Sequence, residues 1–292
     1  MGSLAVGRLA LAALAGVLAA ALAACGERTE PTGPSRSLYP VTVTFASKPA
    51  VIPRPARRIA VLAPDVEPIL VALGAGGRIV GTPLAANGSI RIAQLRSLAP
   101  DLLVASSATD SRQLAQARRA LPHAFAYVAS DDSVRGVEQT TIQLGLLTNE
   151  SVRARRIVRA IEQKRAYVRR KLRGVPPVTV FVDLGFFTTV SSQSLIGDLL
   201  HDAHARNVVG EAPQVGAVDL AELARLDPRF YLASSDSGTT LAKLRRNRRT
   251  RRLAAVRAGR FAVIGARLLE PGPHIGQAVV ELARLFHPDA FR

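Results

Sequence analysis

The chain has 292 residues, room for one large domain or two of ordinary size, and 48% apolar residues exclude disorder by composition. A formal charge of +17 rests on 39 Lys+Arg against 22 Asp+Glu, and Lys occurs only at 48, 164, 171 and 243, so 35 of the cations are Arg. One cysteine excludes an intramolecular disulfide framework and a cysteine-based zinc site, and 4% aromatics without Trp argue against a stacking platform for nucleic acid.

Arg8 precedes an uncharged run, 9–24, that ends Leu22-Ala23-Ala24-Cys25-Gly26. A positive start, an apolar core and small residues before a cut predict a secretory signal over 1–24. The 16-residue run makes about 24 Å of helix, short for a hydrocarbon core of about 30 Å. Cys25, placed where the small residues end, resembles the lipobox of bacterial lipoproteins, in which the sulfur is lipidated and the chain is cut before it. An uncleaved anchor and a secreted protein with a chance cysteine are the other readings. Residues 25–40 then read as a lipidated N-terminus and a flexible tether rich in Pro, Gly, Ser and Thr.

In the body, strands are expected at 41–45, 57–62, 78–82, 101–106 and 124–128, and helices at 66–73, 92–98, 111–120 and 133–147. A long helix follows, with Asn149 as its N-cap and Gly174-Val-Pro-Pro177 as its stop. Its apolar stripe is Ala154, Ile157, Val158, Ile161, Val168 and Leu172. The pattern restarts with strands at 178–183, 207–209, 229–234 and 261–265 and helices at 194–203, 219–226 (capped by Asp219), 240–246 and 273–286. "LAPDLLVASS" (98–107) and "LDPRFYLASS" (226–235) echo one another, which suggests two similar halves. The predicted fold is α/β: two Rossmann-like lobes with parallel sheets, 41–147 and 175–292, bridged by one helix over 148–174.

Charge is concentrated. Residues 149–173 carry a net +8 and 243–260 a net +9, so the rest of the chain is neutral, unlike a general nucleic-acid coat. Both stretches read as solvated faces, with an acidic partner or anionic lipid head groups as the alternative. Gly74-Ala75-Gly76-Gly77 follows a helix and precedes a strand, the wrong order for a phosphate loop, so it reads as a helix stop. His201 and His204, with Asp198 one turn earlier, are the best metal-like cluster; lacking a fourth ligand, they read as a surface pair. No nucleophile elbow, phosphate loop or zinc-protease motif occurs, and no catalytic set is visible, so no enzyme, resident metal or cofactor is expected.

"PARRIAVLAPDVEPILVALGAGGRIVGT" (55–82), "LRSLAPDLLVAS" (95–106), "SLIGDLLHDAHARNVVG" (194–210), "VDLAELARLDPRFYLAS" (218–234) and "LAAVRAGRFAVIGARLLEPGPHIGQAVVELARLFHP" (253–288) resemble, in order, the periplasmic binding proteins for ferric siderophores, haem and cobalamin. The resemblance implies two lobes bridged by a rigid helix, a ligand held in the cleft between them, and delivery to the permease and ATPase of an ABC importer without catalysis. It also implies an extracytoplasmic place, here anchored through Cys25.

Ligands of parallel sheets bind beyond the carboxyl strand ends, which puts Pro64 and Asp65 in the first lobe's half of the site. In the second lobe the same argument selects Phe186, Phe187 and Thr188 on one loop, and Arg267 and Glu270 on another. Both phenylalanines line the cleft, or one belongs in the core and the other in the cleft, and Arg267 and Glu270 pair either with ligand charges or with each other. Apolar contact with a few polar groups suits a metal chelate or a corrinoid-like molecule. First-lobe aromatics are missing around Pro83–Arg91, and Ala266 and Glu270 stand where cobalamin binders place an acid and an Arg, which argues against cobalamin itself. Family members also carry one exposed Glu on each lobe for transporter docking; the matching positions here are Ala93 and Ala221, with Glu222 adjacent. A sensor or surface-interaction protein on the same fold, uncoupled from transport, is the alternative function.

Overall fold

A hairpin and two parallel sheets carry the chain. The computed structural model describes residues 39–45, 48–210 and 216–292; the signal segment, Cys25 and the tether up to Leu38 lie outside the described residues. Strands β1 (Val41–Phe45) and β2 (Lys48–Ile52) pair antiparallel. Next, β3 (Ile59–Val61), β4 (Ile79–Gly81), β5 (Leu102–Ser106) and β6 (Phe125–Ala129) form a parallel sheet in the order β4-β3-β5-β6. Helices α1 (Glu67–Ala72), α2 (Ile92–Leu98) and α3 (Ser111–Ala120) make its crossovers, and α4 (Val134–Leu147) leads out of it.

Helix α5 (Ser151–Lys171) then crosses to the second lobe; its 21 residues make about 31 Å. That lobe contains β7 (Val178–Asp183), β8 (Thr188–Thr189), β9 (Ala205–Asn207), β10 (Gly216–Ala217), β11 (Phe230–Ser234) and β12 (Phe261–Ile264). Its parallel sheet runs β12-β11-β7-β9, while β8 pairs antiparallel with β10. Helices α6 (Leu195–Asp202), α7 (Leu220–Leu226), α8 (Leu241–Arg246), α9 (Ala254–Arg257) and α10 (Ile275–Phe286) cover it. Numbered within its own lobe, each sheet has the order 2-1-3-4. Every residue of β5 and β11 is buried, as expected for strands covered on both faces.

The junction between the lobes corrects one expectation. Asn149 adopts φ +60° just past Thr148, the C-cap of α4; Glu150 takes the N-cap position of α5. Asn is among the few residues that enter that region readily, and the backbone closes the helix end there: the Asn149 N–H donates to the Leu146 carbonyl at 3.4 Å and the Glu150 N–H to the Gly145 carbonyl at 2.7 Å. Close approach follows from Gly145, where an added Cβ would lie 2.4 Å from that of Ala154. Of the stripe on α5, Ala154, Ile161, Val168 and Leu172 are buried in a core cluster that also holds Leu102 and Val104 of the first sheet and Val180 and Leu232 of the second. Residues Tyr39–Arg292 are a compact unit by themselves.

Polar contacts also join the lobes. The Val134 N–H, at the start of α4, donates to Asp198 Oδ2 in the first turn of α6 at 3.0 Å. Helix α4 starts beyond the carboxyl end of β6 and α6 beyond that of β7, so the two sheets' carboxyl ends lie on the same side. Arg165 of α5 bonds Glu138 of α4 at 3.2 Å and also Asp202 of α6, fixing the three helices together. Two further expectations change: the short strand near 207–209 is β9, two residues earlier, and Asp219 makes no capping bond but pairs with Arg249 at 3.8 Å.

Candidate ligand-binding site

A sheet wound 2-1-3-4 opens a crevice where its order reverses, beyond the carboxyl ends of strands 1 and 3. Those are β3 and β5 in the first lobe and β7 and β11 in the second. Pro64 and Asp65 begin a 3-10 turn just past β3, Pro64 exposed and Asp65 half-buried. Asp131, just past β6, hydrogen-bonds the Asp65 carboxyl, and its Oδ1 accepts from Ser107 Oγ, just past β5, at 2.9 Å. Three strand exits therefore converge on one polar cluster. The Asp65 carboxyl is pushed up to about 6, first by burial, then by the hydrogen bond and the charge of Asp131.

In the second lobe, Leu184 N–H bonds Thr188 C=O and Thr188 N–H bonds Gly185 C=O, both at 2.8 Å, which makes a tight hairpin turn. Its two central residues are Phe186 at φ +51° and Phe187 at φ +59°, after Gly185 at φ +127°. Such turns favour Asn and Gly, and a bulky residue at positive φ is an outlier that costs about 1–2 kcal/mol. The two rings divide. Phe186 is 93% exposed, whereas Phe187 packs on the cluster of Phe181, Leu223 and Tyr231. Thr188, half-buried, holds the turn through its pairing with Ala217.

Arg267 lies in the 3-10 turn after β12, and Glu270 follows it; both are exposed, and neither enters an ion pair among the described residues. The Ala266 N–H donates to Ser235 Oγ at 3.0 Å and ties that turn to the exit of β11. Beneath them Asp183 ends β7, fully buried: Oδ1 accepts from the Gly185 N–H at 2.9 Å, and Oδ2 from Tyr231 Oη at 2.8 Å and Thr239 Oγ1 at 2.7 Å. Burial, and next the charge and hydrogen bond of Asp183, raise the Tyr231 phenol above its usual range.

The structure thus groups Pro64 with Asp65, and Phe186 with Phe187 and Thr188, and places Arg267 and Glu270 on a third loop. No hydrogen bond or ion pair joins the first-lobe members to the others among the described residues. Asp131, as the partner of Asp65, escaped the sequence reading, as did Asp183. Each lies at a carboxyl strand end, the one signal that could have marked it. The histidine cluster separates: Asp198 caps α4, His201 is exposed, and His204, past the end of α6 at φ +58°, bonds the Val175 carbonyl. Among the described residues no group of three potential metal ligands occurs. Cavities of about 280 Å³, bounded by Ile52, Asp101 and Phe125, and about 480 Å³, bounded by Val178, Phe230 and Arg260, lie at the amino strand ends and touch none of these residues.

A model of the periplasmic binding protein family matches residues 83–268, well over half of the chain. The chain belongs to the periplasmic binding protein family. Solved structures agree on the fold. CeuE of Helicobacter pylori, in a nickel–histidine complex, superposes with a TM-score of 0.73 at 14% identity over 86% of this chain and 89% of its own. MolA of Haemophilus influenzae, a molybdate periplasmic binding protein with molybdate bound, gives 0.73 at 17% identity over 86% and 92%. The vitamin B12 binding protein BtuF of Vibrio cholerae gives 0.68 at 17% over 82% and 99%. No curated protein matches the chain. Periplasmic binding proteins are solute-binding proteins and not enzymes, and membership implies an extracytoplasmic location. No helix among the described residues is long and apolar enough to cross a membrane.

Proposed function

We propose that this periplasmic binding protein is a lipoprotein, attached through Cys25, that captures a metal chelate or corrinoid-like molecule between its lobes and delivers it to the permease and ATPase of an ABC importer. The observation that carries this reading is the pair of switch points on one side of the molecule, equipped differently. The first lobe offers the carboxyls of Asp65 and Asp131 at Pro64; the second offers an outward Phe186 beside Thr188, with Phe187 beneath, and the charged pair Arg267 and Glu270 on a neighbouring loop. An exposed ring gives a flat apolar ligand contact area, and the charged groups select its polar edge.

The test is native mass spectrometry with absorbance on protein purified from its host, together with Cys25→Ala. A coloured species bearing iron or cobalt, with the substitution releasing the chain from the membrane fraction, is the expected result. An intact N-terminus in the wild type would sink the anchor, and an apolar metabolite in place of a chelate would sink the ligand class. The sensor reading keeps one observation in its favour. Ala93 and Ala221 are both exposed, and Glu222, next to Ala221, is paired with Arg225 at 3.9 Å.

A further inference from the structure

We propose that the basic outer face of α5 is a docking surface for an anionic lipid bilayer. Helix α5 buries Ala154, Ile161 and Val168 and turns Arg155, Arg156, Arg159, Arg169 and Arg170 outward, with Arg173 just beyond its end. Two other arginines serve the fold: Arg165 holds Glu138 and Asp202, and Arg153 Nη1 donates to the Leu73 carbonyl at 3.2 Å. The six outward ones form no ion pair among the described residues, and Glu162 is the one carboxylate in the helix. Arg155 and Arg159, like Arg169 and Arg173, stand four apart, where like charges repel along a helix face. The fold gains nothing from that arrangement. A surface of negative charge outside the molecule does offset it.

The course of the chain selects a bilayer as the occupant. Tyr39, the first described residue, donates its hydroxyl to the Leu146 carbonyl in the last turn of α4, five residues before α5 begins. The described body therefore begins, after residues 26–38 of the sequence, at the head of the basic helix. Fully extended, that segment reaches at most about 50 Å from Cys25. If the sulfur carries lipid, a step that rests on the lipoprotein reading, α5 stays within reach of the head groups and meets them at high effective concentration. A rod of about 31 Å with cations along one face can lie flat on such a surface. Val152, 63% exposed in the first turn of that face, adds an apolar contact at head-group depth. The second basic stretch, 243–260, has the charge without the tether: it covers the outer cluster of the other lobe, around Leu244, Leu253 and Val256.

Flotation of residues 39–292, the compact unit, with vesicles of phosphatidylcholine alone or mixed with phosphatidylglycerol tests the surface without Cys25. Failure of the anchor therefore leaves this result untouched, while Cys25→Ala in the full chain tests the anchor alone. The unit is expected to float with the anionic vesicles only, and less at high salt. Each cation near such a surface changes partitioning by about fivefold, so Arg155→Gln/Arg159→Gln/Arg170→Gln should weaken binding more than about tenfold. Arg246→Gln/Arg248→Gln/Arg251→Gln should leave it within a factor of about two. Should the first triple fail to fold by circular dichroism, Arg156→Gln/Arg169→Gln/Arg173→Gln replaces it. No flotation with anionic vesicles, equal losses from the two triples, or binding of a short DNA duplex in preference to vesicles would each overturn the proposal.

Discussion

In each lobe a seven-residue helix, α2 or α7, buries one leucine completely, Leu95 or Leu223, and ends in a left-handed residue, Ala99 at φ +42° or Asp227 at φ +39°. A buried proline follows, then a strand buried at every position, β5 or β11. Both sheets have the order 2-1-3-4. Where the strands end, the likeness stops. Asp65 of the first lobe meets a second carboxyl and sits half in water, whereas Asp183 of the second is buried and accepts from three donors. A duplicated frame fixes where loops emerge, and the residues just past the strands remain free to diverge. Recognition can therefore be asymmetric on a symmetric scaffold: polar and protonatable on one side, aromatic on a rigid base on the other.

The largest effect should come from breaking that base. Asp183→Ala takes the acceptor from the buried Tyr231 hydroxyl, the half-buried Thr239 hydroxyl and the Gly185 N–H, and each lost or orphaned bond costs about 1–3 kcal/mol. A loss of about 3–5 kcal/mol is expected, read as a lower denaturant midpoint at unchanged slope. A loss under about 1 kcal/mol would mean that Asp183 is as loosely held as Asp65, and the contrast between the lobes would fail.

Much of the frame was legible because it depends on local pattern. The apolar runs gave β7 to the residue and β5 and β11 within one, and α3 matches its expected span, since runs covered on both faces and polar–apolar periodicity survive in any tertiary context. The elements that escaped are short or depend on distant partners. β2 contains Pro49, and β8 and β10 have two residues each, defined only by one another. Asp65, Ser107 and Asp131 come from the exits of three strands, so their meeting is a property of the strand order and not of any segment. The turn at Phe186 and Phe187 was visible as two aromatics on a loop. Their positive φ was not, because Gly185 is the one residue there that announces a tight turn.

That turn supplies an intermediate effect with opposite signs on neighbouring positions. Phe187→Ala removes a ring packed on Phe181 and Tyr231 and should cost about 1–3 kcal/mol, below a fully buried ring because the side chain is half-exposed. Phe186→Asn removes a ring that is 93% exposed and substitutes a residue that accepts φ +51°, so stability should rise by about 0.5–1 kcal/mol while ligand capture weakens. Paired denaturation curves separate the two. If Phe186→Asn destabilises the chain, the ring contributes to the core, and the second lobe lacks the outward aromatic that distinguishes its site from that of the first.

The smallest effect, and the sharpest on the first lobe, concerns pH. Asp65 has its folded pKa raised to about 6, while the unfolded chain releases that proton near 4. The folded chain therefore holds the extra proton between those values. Its contribution to stability is fully present below about pH 4 and is lost as pH rises through about 6. Asp65→Asn keeps the shape and removes the titration, so variant and wild type should melt together near pH 4 and the variant should be the more stable at pH 7–8. Because the carboxyl is half in water, screening limits the gain to about 1–3 °C. Asp131→Asn should act in the same direction, since it removes the neighbouring charge while leaving Asp65 able to ionise. A melting difference constant from pH 4 to 8 would show that the Asp65 carboxyl is not raised in the folded chain. The first lobe's strand ends would then be as electrostatically settled as those of the second.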